Sequence, residues 1–211
     1  MADDLDLLTL DEAKDALKID LTDNRKDDVL PRYITAVSRF LDQRVGPTVA
    51  REVTESHDGG DCEIKLRHRP VRSVTSVTEY RGGTATVVSA STAAAPVHGY
   101  MAEPYPPDPT LLNGVLLRTT GTTSTRWPAG HLNVAVVYEA GRYETTAAVD
   151  DRFKQAAAIC LINMWRDQQQ SAGGFGEFDV PVAAFPTFAL PKAVADLLAD
   201  ELWYQRPAQV W

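Results

Sequence analysis

Near both ends of the chain, apolar residues recur at three- and four-residue steps; in the middle they alternate. In TLDEAKDALKI, Leu10, Ala13 and Leu17 make a helical stripe. Thr9, followed three positions later by Glu12, predicts a capping box: the hydroxyl accepts from the Glu12 amide and the carboxylate reaches back. After the polar LTDNRKD, Leu30, Ile34, Val37 and Leu41, widened by Tyr33 and Phe40, predict a stronger helix over about 28–44. Pro31 is tolerable only in its first turn, where amides lack intrahelical partners, and Gly46-Pro47 ends it. Helix returns at Asp150, with Phe153, Ala156, Ala157, Cys160, Leu161 and Met164 at helical steps, Asp150 or Asp151 as cap, and an end near 168–170. Pro191 opens a last helix carrying Val194, Leu197, Leu198 and Leu202 on one face.

From about residue 50 to 149, Thr, Val, Ser, Gly and Pro dominate. Cys62, Ile64 and Leu66 alternate as a strand does, and Leu132, Val134, Val136 and Tyr138 alternate again in HLNVAVVYEAG. TATVVS and GVLLRTT are further strand candidates. The proline-rich stretch 95–109 reads as a long, partly irregular connection. The expected fold class is α+β. N- and C-terminal helices (1–49 and 150–204) form a small helical bundle, with a β-rich insertion (50–149) between them. Two extensions stand apart: an aromatic, Gly- and Pro-rich arm over 171–190 and a short tail over 205–211.

Charge sharpens this picture. There are 21 Lys and Arg against 29 Asp and Glu, a net charge of -8, which disfavours general attraction to DNA phosphates without forbidding a local basic patch. One such patch exists. LRHRPVRSVTSV, residues 66–77, holds Arg67, His68, Arg69 and Arg72 with no acidic residue among them. If Ile64 and Leu66 point inward, Lys65 and Arg67 point out. Pro70 cannot donate to a ladder and marks a strand start or an edge. The valines at 71, 74 and 77 step by three rather than two, which predicts a bulge or kink between Ser73 and Ser76. The run reads as a structural strand with a basic outer face more than as a grip on nucleic acid.

The remaining chemistry is sparse. No apolar run reaches the roughly 20 residues of a membrane span. The acidic start MADDLDLL lacks the features of a signal peptide, so a soluble protein made in a cytoplasm is expected. Cys62 and Cys160 are too few for a disulfide framework or a zinc site, and both read as reduced core residues. The most site-like cluster is HDGGDCE, where His57, Asp58, Asp61 and Glu63 are candidate acid, base or metal-ligand groups of a hydrolase. The favoured reading is a polar turn between two strands, because no partner motif stands elsewhere. SAGGFGEF matches neither a dinucleotide fingerprint nor a phosphate loop. No catalytic set, no metal and no cofactor is expected. Phe175, Phe178, Phe185 and Phe188 in the arm either fold back on their own subunit or dock on a neighbour. Val210 and Trp211 in the tail are either stray or an anchor for a partner pocket.

Four stretches, in this order, resemble the head–tail connector (adaptor) proteins of long-tailed double-stranded-DNA bacteriophages and gene transfer agents. They are LTLDEAKDALKID with the helix DDVLPRYITAVSRFLDQRVG; LRHRPVRSVTSVTEYRGG; WPAGHLNVAVVYEAGRY running into AAVDDRFKQAAAICLINMWRDQQQ; and LPKAVADLLADELW. Together they cover most of the chain. The resemblance implies a structural virion protein of the neck, without catalytic residues. It implies a homo-oligomeric ring, usually twelvefold, beneath the portal protein and above a stopper or tail-completion protein. DNA would pass through the channel without sequence-specific binding. It also makes Phe175, Phe178, Phe185, Phe188, Arg206, Val210 and Trp211 candidates for docking on the portal. Arg67, Arg69 and Arg72 become candidates for pairing with an acidic neighbouring subunit or portal surface. The alternatives are another neck or tail protein, such as a stopper or tail terminator, and a DNA-binding packaging protein that would use KLRHRPVR.

Overall fold

The structure, a computed structural model, describes residues 4–172 and 190–205. They fall into two compact units, Met1–Val49 with Tyr143–Trp211, and Ala50–Arg142. The content is mixed α and β, as the pattern predicts, but the balance is heavier in strand: nine strands join one sheet among the described residues.

In the first unit, α1 (Leu10–Ala16) opens with the expected capping box. The Glu12 amide donates to the Thr9 hydroxyl at 3.2 Å, and the Thr9 amide donates to the Glu12 carboxylate at 2.8 Å. Helix α2 (Leu30–Val45) holds Pro31 in its first turn and stops at Gly46, whose φ of 81° suits glycine. Helix α3 (Asp151–Ala172) starts from Asp150, whose carboxylate accepts from the Arg152 amide at 2.8 Å. Leu7, Ile34, Leu41, Phe153, Leu161 and Val194 meet in one core. Each such side chain contributes roughly 1.5–3 kcal/mol on burial. The final apolar stripe is not one helix. Leu198 leaves helical geometry (φ -111°, ψ 24°) and separates α4 (Lys192–Leu197) from α5 (Ala199–Gln205). Val194 and Leu198 face the core, while Leu197 is 37% exposed, against expectation. Residues 143–149, given to the insertion by the sequence pattern, belong to this unit: the Tyr143 amide donates to Thr48 O, and Val149 is buried.

A buried ammonium organises the polar loop after α1. Lys14 is 2% exposed, and its Nζ lies 2.7 Å from Asp27 Oδ1 and 3.2 Å from Leu21 O. Replacing Lys14 by Met leaves a partly buried carboxylate and an unheld loop. The expected loss is roughly 2–3 kcal/mol, below the usual cost of breaking a fully buried pair because Asp27 keeps some contact with water. Urea unfolding measures it; a loss under about 0.5 kcal/mol means that the loop stands without Lys14.

The second unit contains β1 (Arg51–Gly59), β2 (Glu63–Lys65), β3 (Val71–Arg81), β4 (Thr84–Val87), β5 (Ser89–Ala90), β6 (His98–Tyr105), β7 (Asp108–Thr120), β8 (Thr123–Ser124) and β9 (Gly130–Ala140). The order is β1-β9-β3-β7-β6-β5, with β2 and β8 on β7 and β4 on β3. Only β5 and β6 pair in parallel. Val71, Val77, Leu116, Trp127, Val136 and Tyr138 lie in its core.

Four sequence expectations change here. The proline-rich stretch is a hairpin: β6 and β7 pair antiparallel, Tyr105 opposite Asp108 across Pro106-Pro107. Pro104 sits between two register shifts, where a missing donor is tolerated. Leu132 is not inward; it is 52% exposed, with φ at 47°. Leu66 is buried as expected, but β2 ends at Lys65 and β3 starts only at Val71, so the start of the basic run, residues 66–70, is a loop. Cys62 is only partly buried. By contrast, the three-residue valine step does mark an irregularity, a register shift between Val74 and Ser76 against β9.

The two thiols differ as a result. Burial pushes the Cys160 thiol up to about 11, whereas Cys62 reaches solvent. With a disulfide reagent near pH 8, Cys62 is expected to react at least about a hundredfold faster than Cys160. Equal rates would show that the helical core opens readily.

Candidate interaction surface

Strand β1 offers almost no hydrophobic signal, yet it carries the most heavily bonded carboxylate of the β unit. Glu55 is 6% exposed. Its Oε1 accepts from the Tyr138 hydroxyl at 2.5 Å and lies 2.9 Å from His68 Nδ1. Its Oε2 lies 2.9 Å from His57 Nε2 and accepts from the Arg67 amide at 3.2 Å. Four partners fill a carboxylate's accepting capacity. Burial alone would raise the Glu55 carboxyl; the bonds from Tyr138, His68 and Arg67 outweigh it and hold the group below its ordinary value. Burial, and then the Glu55 carboxylate, push the Tyr138 hydroxyl up.

This clasp sets the loop 66–70. Two of its amides are fixed, Arg67 on Glu55 and His68 on the Tyr138 oxygen at 3.3 Å. The three arginines of the run then have different surroundings. The Arg67 side chain is exposed, with no ion pair among the described residues. Arg69 lies across Gly114, where a Cβ would stand 2.6 Å from Arg69 Cγ; with φ at 77°, that position takes glycine on both counts. Arg72 bonds Glu139 at 3.3 Å and the Arg142 carbonyl at 3.0 Å. The run therefore presents one unpaired guanidinium rather than a basic face.

The HDGGDCE cluster is dispersed. His57 belongs to Glu55; Asp58 pairs with His131 at 2.9 Å and accepts from the Leu132 amide at 2.6 Å; Glu63 lies 4.0 Å from Lys65. His57, Asp58 and Glu63 each have a separate neighbour, and the Asp61 carboxylate joins none of these contacts. Among the described residues, no three His, Cys, Asp or Glu side chains gather as a metal site. Phe175, Phe178, Phe185, Phe188, Arg206, Val210 and Trp211 lie outside the described residues.

Sequence reasoning missed a second buried cluster. Arg118 and Glu79 pair at 2.7 Å, with side chains 4% and 5% exposed. Arg118 also donates to Gly99 O at 2.6 Å and Thr119 O at 3.2 Å, and lies over the Trp127 ring. Its third nitrogen meets His98 Nε2 at 2.8 Å. A guanidinium only donates, so His98 accepts at Nε2 and offers its Nδ1 proton to Thr120 Oγ1 at 2.8 Å. Arg118 in the apolar GVLLRTT was the available signal, since a buried arginine requires a carboxylate.

No protein-family model matches the chain, and no curated protein matches it. Solved structures do. A chain from the "Neck of empty GTA particle computed with C6 symmetry" aligns over 97% of this chain and 92% of its own length, at 17% identity and a TM-score of 0.60. A chain from the "Virion of native gene transfer agent (GTA) particle" aligns over 97% and 92%, at 16% identity and a TM-score of 0.57. A third, from the "Neck of native GTA particle computed with C12 symmetry", aligns over 100% and 97%, at 16% identity and a TM-score of 0.53. At such identities the shared property is the fold, and it extends over nearly the whole chain.

Proposed function

We propose that this protein is a structural component of a virion neck, a head–tail connector that forms a ring under the portal protein and carries the stopper or tail-completion protein below. The observation that supports this most is the fold match to neck chains along almost the full length of both partners. The C12 symmetry of one of those necks favours twelve copies. The strand-rich balance alone would also suit a stopper or tail terminator; the helices drawn from both chain ends around one core favour the connector. In this reading the protein is not an enzyme and binds no cofactor, its net charge of -8 lets DNA pass without sticking, and the four arm phenylalanines together with Arg206, Val210 and Trp211 of the tail dock on the portal. Removing the gene from its particle-producing host is the test. DNA-filled heads without tails are expected, and intact tailed particles would refute a neck role.

A further inference from the structure

The net charge is unevenly divided. Residues 50–142 hold nine acidic and nine basic side chains, while the helical unit holds twenty acidic and twelve basic, so the whole excess of negative charge lies there. The β unit, neutral overall, presents Arg67 without an ion pair among the described residues, on a loop fixed through the Arg67 and His68 amides. Beside it stand His68 and Lys65, with side chains 50% and 68% exposed. The helical unit presents Asp11 and Asp28, both exposed and without an ion pair among the described residues. A guanidinium on a pre-set loop loses little freedom on pairing, which favours a specific contact over a diffuse one.

We infer that the Arg67 loop of one copy docks on the acidic helical unit of a second copy. This rests on the ring reading and gives it a direction: β unit to helical unit, a heterologous contact that can repeat around a circle. Such a contact is salt-sensitive, because exposed charges carry it. Arg69 and Arg72 support the loop from within the β unit rather than meet the neighbour.

Sedimentation of the full chain over a concentration series, at about 50 and about 300 mM salt, reads the association. Self-association is expected to weaken about tenfold in the higher salt. Arg67→Glu should weaken it at least tenfold, and Arg67→Lys much less. Circular dichroism checks that the fold is kept; Arg67 is exposed, so both variants should fold. A photo-crosslinking residue at position 67, in a mixture of isotopically heavy and light chains, reports the partner site. Heavy–light crosslinks to residues 4–49 or 143–205 are expected. Monomers at every concentration, or inter-copy crosslinks confined to residues 50–142, overturn the inference. Neither result bears on the neck reading, which the gene removal tests separately.

Discussion

Arg118→Ala is expected to be the most damaging single substitution in the β unit, costing about 3–5 kcal/mol, the range for breaking a buried ion pair. It strands Glu79, 5% exposed, with only Arg81 at 4.0 Å, whose side chain is 67% exposed and compensates little. It also takes a donor from the carbonyls of Gly99 and Thr119 and removes the cation over Trp127. Against the roughly 5–15 kcal/mol that hold a typical domain, that loss removes a large share of the stability. The double replacement Arg118→Met with Glu79→Leu should recover most of it, because the damage comes from the lone charge rather than from the missing bond. Urea unfolding of wild type, Arg118→Met, Glu79→Leu and the double variant gives the cycle. An Arg118→Ala loss under about 1 kcal/mol would show that solvent reaches this cluster and screens it.

Glu55→Ala is the second large effect, expected at about 2–4 kcal/mol, since the fully buried Tyr138 hydroxyl loses its acceptor and the Arg67 amide loses its own. The figure is held down because His68 is half exposed and water can replace part of its bond. Tyr138→Phe removes one donor and leaves the carboxylate three partners, so about 1–2 kcal/mol is expected. Acid should act through the same group. The folded carboxyl lies below its ordinary value of 4.5, so its contribution is fully present above that pH and falls away as pH drops below it towards the folded value. Glu55→Gln should flatten that acid limb of the stability curve. A wild-type curve that does not fall between pH 5 and pH 3 more than the variant's would remove Glu55 from the explanation.

The first three helices were readable from the chain because helical spacing and capping both depend on nearby residues. Thr9 with Glu12 and Asp150 with the Arg152 amide are contacts within three positions. The irregularity near Ser73–Ser76 was readable for the same reason, a local break in step. What stayed hidden depends on distant partners. Along β1, apolar alternation is lost because its buried position is Glu55, and that residue is satisfied by Tyr138, 83 positions away. Glu79 and Arg118 are 39 positions apart. Prolines made the β6–β7 hairpin look irregular, although they occupy a turn and a register shift, where a strand tolerates them. The basic run was recognised as outward-facing at Lys65 and Arg67, but counting its arginines could not show that Arg72 is occupied by Glu139 and that Arg69 lies over Gly114.

Electron cryomicroscopy of the junction between capsid and tail, in particles that carry this protein, bears most directly on its role. A ring of its copies around the DNA channel at that junction is expected, twelvefold as in one of the structures that share its fold. Particles whose junction lacks the chain, or that hold it only elsewhere, would contradict a neck role.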